Sequence, residues 1–117
     1  MTASTRRLAI NRLKERGALD AAVVDRFLQR YPPPIVEGRR CTFLFRGEAE
    51  EVWVRHRVTG LPDPLPLRRL RGVDLWSVVL ELPEGSRVEY QLETRRGGAY
   101  ERINDPLNPH RSHSPVI

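Results

Sequence analysis

Few residue groupings in this chain could do chemistry. His110 and His113 lie three apart and close to Asp105, and two imidazoles with a carboxylate are a possible metal ligand set. They sit in a segment rich in Pro and Ser, and a metal centre needs ligands held rigid by neighbours, so the spacing reads as tail rather than site. Ser86 follows a glycine, but there is no Gly-x-Ser-x-Gly elbow and no Gly-x-x-x-x-Gly-Lys phosphate loop. Ser86 therefore reads as a turn serine. Cys41 is the one cysteine, so no internal disulfide can form; its apolar surroundings predict a buried, inert thiol and fit a reducing cytoplasm. His56 shares a strand face with Val52 and Val54 and reads as a hydrogen-bonded histidine at a core edge.

Binding chemistry is better represented. Trp53, Arg55 and Arg57 alternate onto the face opposite Val52 and Val54. An indole facing outward can stack on the C–H face of a sugar, with Tyr100 as a second platform. The alternative is that Trp53 is covered by the N-terminal helices or by a Pro-rich loop, as large apolar groups usually are. Outward arginines such as Arg55 and Arg57 can draw anions. The net charge of +5 arises from twenty basic residues, of which Lys14 alone is lysine. They are scattered among Asp and Glu rather than gathered into a stripe, as codon bias in a GC-rich genome produces, which argues against nucleic acid as a partner.

These residues need elements to hold them. At 117 residues the chain has the length of one domain, and 39% hydrophobic with 30% charged residues describes a soluble globular protein. No apolar run approaches the roughly 18 residues of a membrane span, and none suits a signal peptide. Residues 4–30 read as two helices. Ser4 or Thr5 can cap the first, with Leu8, Ile10 and Leu13 as its apolar face and Gly17 as its stop. Asp20 can cap the second, with Val23, Val24, Phe27 and Leu28 buried, and Pro32-Pro33-Pro34 ends it.

From Ile35 the period changes to two. Strands are expected over residues 41–46, 51–58, 75–82 and 87–96, with a long loop and an edge strand over residues 60–70. Leu82-Pro83-Glu84-Gly85 reads as a hairpin turn and Gly97-Gly98 as another turn. The expected fold is mainly β, an immunoglobulin-like sandwich preceded by a short N-terminal helical hairpin. The segments are 1–34 helical, 35–109 sandwich and 110–117 the start of a linker or tail.

Several runs together resemble a known module: Cys41-Thr42-Phe43-Leu44-Phe45-Arg46-Gly47, Glu51-Val52-Trp53-Val54, Asp74-Leu75-Trp76, Leu82-Pro83-Glu84-Gly85-Ser86-Arg87-Val88-Glu89-Tyr90, and Asp105-Pro106-Leu107-Asn108-Pro109. Residues 35–112 resemble the N-terminal domain of enterochelin-esterase-like hydrolases. That domain is an early-set immunoglobulin-like sandwich related to glycogen-binding and isoamylase N-terminal modules. The resemblance implies a non-catalytic accessory domain without a cofactor. It would pack, in cis or in trans, on an α/β-hydrolase domain bearing the catalytic Ser, Asp and His, and shape the entrance for an anionic siderophore-like substrate. Arg55 and Arg57 are the entrance candidates. A glucan-binding module is the alternative, with Trp53 and Tyr100 as stacking residues. The chain departs from that pattern in Thr59-Gly60-Leu61-Pro62-Asp63, where glycogen-binding modules place a tryptophan, and at Gln91, where they favour lysine. A stand-alone protein-interaction domain is the further alternative.

Overall fold

The computed structural model describes residues 8–58, 60–83, 85 and 88–108. The expectations for Ser4, Thr5, Ser86, His110, His113 and the 110–117 segment lie outside the described residues. Among the described residues the fold is mainly β, with two antiparallel four-stranded sheets and two helices. In chain order these are α1 (Ala9–Lys14), α2 (Ala21–Arg30), β1 (Ile35–Glu37), β2 (Arg40–Arg46), β3 (Glu51–His56), β4 (Leu65–Pro66), β5 (Arg68–Arg69), β6 (Leu75–Glu81), β7 (Tyr90–Arg96) and β8 (Ala99–Ile103). One sheet runs β1-β2-β6-β5 and the other β4-β3-β7-β8.

Period-two alternation explains how the sheets face each other. Cys41, Phe43 and Phe45 of β2 and Trp76 and Leu80 of β6 meet Val52 and Val54 of β3 and Leu92 of β7 in one buried core. The opposite face of the first sheet is buried as well. Leu44 and Leu75 pack there with Ile10 and Leu13 of α1 and Val24 and Phe27 of α2. The helices therefore share a core with this sheet, which is why β2 is buried almost throughout instead of at alternate residues. Arg46 of β2 adds an ion pair to Asp25 of α2 and another to Asp74 ahead of β6, the latter at 3.5 Å.

The helix ends differ in kind. Asp20 caps α2 as its sequence predicts, accepting from the Val23 amide at 2.9 Å. Leu8 occupies the cap position of α1, without a side-chain cap. The Ala9 amide instead donates to the Glu37 carboxylate of β1, with Oε2 at 3.1 Å.

Two expectations about connections change. The Leu82–Gly85 segment is not a hairpin turn, because β6 pairs with β2 and β5 while β7 pairs with β3 and β8. It carries the chain from one sheet to the other. Residues 60–70 hold two short edge strands instead of one. β4 pairs with β3 and β5 with β6, so the chain changes sheets between them, with Leu67 buried in the shared core at the crossing. The hairpin in this region is the one at Gly97-Gly98, whose φ values of 56° and 80° suit a two-residue turn between Arg96 and Ala99.

Candidate functional site

The outer face of the β4-β3-β7-β8 sheet gathers the binding candidates. Trp53 and Arg55 stand on β3, with Arg57 just beyond its end. Gln91, Glu93 and Arg95 stand on β7, and Tyr100 and Arg102 on β8. The register sets their neighbours: Trp53 opposite Glu93, Arg55 opposite Gln91, Glu93 opposite Arg102 and Arg95 opposite Tyr100. Two ion pairs run across the β3–β7 seam, Arg95 to Glu51 and Arg55 to Glu93, each at 2.7 Å. Both partly face solvent, where water and salt screen the attraction, so their main effect is to hold the side chains in place.

Trp53 and Tyr100 reach across β7 and stack, with centroids 5.9 Å apart and planes 29° from parallel. The helices lie on the other sheet and do not cover Trp53. Its neighbours are Pro66, directly opposite on β4, and Tyr100. Trp53 is half-buried, whereas Tyr100 is 61% exposed, so the pair presents an aromatic surface chiefly through the tyrosine.

Beside this pair lies an open cleft of about 380 Å³, lined by Arg55, Arg57, Arg102, Gln91, Tyr90, Glu89, Asp63 and the His56 position. Arg55 already holds Glu93. Among the described residues, Arg57 and Arg102 have no ion pair. The cleft can therefore offer two guanidinium groups to a carboxylate or phosphate, tempered by the two carboxylates in its own wall. Sequence alternation placed Arg55 and Arg57 on one face. Arg102 joins them only through β8, which the sequence reading missed. The signal for it was Gly97-Gly98 as a hairpin turn rather than a strand end.

His56 belongs to the wall but not to the chemistry. Its ring is buried. The Val58 amide donates to Nδ1 at 3.1 Å, which leaves the proton on Nε2, directed at the Pro62 carbonyl. The His56 amide donates to Asp63 Oδ1 at 3.3 Å. These bonds fold the loop after β3 into the edge of the cleft.

The floor is held by a second polar cluster. Tyr90 donates its hydroxyl to Asp105 Oδ2 at 2.7 Å, the Leu107 amide donates to Asp105 Oδ1 at 2.9 Å, and Asn108 Nδ2 donates to the Tyr90 oxygen at 3.1 Å. Burial pushes the Asp105 carboxyl above its ordinary value, and the hydrogen bonds from Tyr90 and the Leu107 and Asn108 amides pull it back. Burial, then the Asp105 charge, raises the Tyr90 hydroxyl. Tyr90 also meets Phe43 edge-on at 4.7 Å. Asp105 is thus committed to the fold. Within the Asp-Pro-Leu-Asn run, the buried Asp105 and Asn108 form a lock on β7.

Cys41 is fully buried on the inner face of β2, and burial pushes its thiol to about 12. Among the described residues, no group of three or more His, Cys, Asp and Glu could hold a metal ion, and no helix is long and apolar enough to cross a membrane. No protein-family model matches the chain, and no curated protein matches it.

Proposed function

We propose that this chain is a non-catalytic accessory module, an early-set immunoglobulin-like sandwich with a helical hairpin. It would dock on an α/β-hydrolase domain and form part of its substrate entrance. The observation that carries this reading is the inequality of the two sheets. The outer face of one is sealed by α1 and α2, while the other presents Tyr100, Trp53 and the arginine cleft. The Asp105–Asn108 lock ties the end of the described chain to Tyr90, in the wall of that cleft. A domain continuing from there would start beside the open face. The catalytic domain is its occupant in this reading, and Arg55 and Arg57 draw an anionic, siderophore-like substrate toward the joint. The lone buried thiol suits a cytoplasmic setting.

The coding sequence beyond the Ile117 codon tests this directly. An open frame leading into a Gly-x-Ser-x-Gly elbow supports the accessory role in cis. A stop codon at that point removes it and leaves docking in trans or a stand-alone interaction domain. Where the hydrolase domain is present, Arg55→Glu with Arg57→Glu is expected to slow turnover, and unchanged kinetics would remove the arginines from the entrance.

A glucan-binding reading is favoured by one observation, the Trp53–Tyr100 stack with its exposed tyrosine ring. It predicts retardation in a native gel containing glycogen, lost on Tyr100→Ala and on Trp53→Ala. Migration equal to that in a glycogen-free gel would exclude it.

A further inference from the structure

A second cleft, of about 760 Å³, lies on the far side of the molecule from the arginine face, between the α1–α2 connection and the β5–β6 turn. Its apolar surface comes from Ala18, Leu19 and Leu70; its polar side chains are Lys14, Arg68, Arg69 and Arg71. Four cations and no carboxylate line it. Several arginines elsewhere are matched, Arg39 and Arg40 with Glu81, Arg55 with Glu93, Arg95 with Glu50 and Glu51, and Arg96 with Glu101, whereas Arg57 and Arg102 border a cleft that holds Asp63 and Glu89. Among the described residues, none of the four cations of this cleft is within ion-pair distance of a carboxylate. Arg69 donates to the Val73 carbonyl, at 3.4 Å.

The cleft is built rather than incidental. Gly17 and Gly72 turn the chain on its two sides at φ 87° and 85°, a conformation that a side chain would strain. A Cβ placed on Gly72 would lie 3.9 Å from the Leu19 carbonyl oxygen, so the two sides of the cleft approach each other there. Concentrated, unneutralised cations repel one another, so a cleft that gathers them over an apolar floor is relieved by an anion with an apolar body. Its volume matches a small molecule.

We propose that this cleft binds a small amphiphilic anion, an apolar chain or ring carrying a phosphate or carboxylate group. The apolar part lies on Leu19 and Leu70, and the anionic group is held by Arg68 and Arg71 with Lys14. The site stands independently of the accessory-module reading, since it lies on the helix-covered side and needs no second domain.

Three matched probes test it on the intact chain: octyl phosphate, octyl glucoside, which keeps the tail without the charge, and inorganic phosphate, which keeps the charge without the tail. In amide NMR titrations below micelle formation, octyl phosphate is expected to bind saturably and to shift Gly17, Leu19, Leu70 and Gly72. Each of the other two is expected to bind about tenfold more weakly or worse. Arg68→Ser with Arg71→Ser, both at exposed positions, is expected to weaken octyl phosphate about fivefold. Arg68→Lys with Arg71→Lys should restore most of the affinity, and Arg26→Ser on α2 should leave it unchanged. Octyl glucoside binding as well as octyl phosphate would overturn the proposal. So would undiminished binding by the double serine variant, or shifts centred away from the cleft.

Discussion

At the scale of single residues, the Tyr90–Asp105–Asn108 lock gives the sharpest expectation. Burial raises the Asp105 carboxyl, so the native chain holds that proton more tightly than the unfolded chain does. The stability this group contributes is fully present below the ordinary carboxyl value, about pH 4, and is lost as pH rises through the raised native value. The Tyr90 hydroxyl limits the rise by donating to the carboxylate. Tyr90→Phe removes that donor, which raises the carboxyl further and enlarges the loss at neutral pH. We expect it to cost about 1–3 kcal/mol near neutrality and less in acid. Urea titrations at the two conditions read this difference, and equal losses would show that Asp105 ionisation does not feel Tyr90. A second residue runs the other way. Thr42 Oγ1 is buried on the helix-facing side of β2 with no hydrogen-bond partner among the described residues, so Thr42→Val keeps the shape and removes an unsatisfied hydroxyl. It is expected to stabilise the fold by about 1 kcal/mol, seen as a higher urea midpoint. Cys41, buried and held as a thiol, is expected to react with a disulfide reagent only after unfolding. Modification at the rate of a free thiol in native buffer would contradict its burial.

At the scale of elements, legibility followed length. β2, β3, β6 and β7 have six or seven residues each, enough for apolar alternation to mark strand and inward face. α2 was marked by Asp20, by the spacing of Val24 and Phe27, and by the prolines after it. Asp20→Ala is expected to cost about 1 kcal/mol through loss of the bond to the Val23 amide, measured by thermal unfolding. β4 and β5 have two residues each and owe their existence to neighbouring strands, so no local pattern announces them. β8 reads Ala-Tyr-Glu-Arg-Ile, exposed at nearly every position, and edge strands of this kind carry no apolar period. Missing β8 meant missing Arg102 and the contact between Trp53 and Tyr100. Leu82–Gly85 misled for a related reason. Pro and Gly report that the chain bends, but partner choice is a tertiary property, and here the bend joins two sheets.

At the scale of the whole molecule, the helical segment is too small to be a domain, and its apolar faces belong to the sheet they cover. The outer face of the β1-β2-β6-β5 sheet buries Leu44 and Leu75 under Ile10, Leu13, Val24 and Phe27. Burying a side chain of this kind contributes about 1.5–3 kcal/mol, and six of them exceed what a six-residue and a ten-residue helix could supply alone. Neither helix has a reason to exist off the sheet, and the sheet would expose a contiguous apolar face without them. Helices and sheets are therefore expected to unfold together. The two tryptophans make this measurable, because Trp53 is on β3 and Trp76 on β6, so fluorescence reports the sheets while helical circular dichroism reports α1 and α2. Coincident transitions in urea are the expected outcome. Helical signal lost at lower urea than tryptophan fluorescence would instead make the helices a separable appendage, and would leave the cation-lined cleft between them and β5 without a fixed wall.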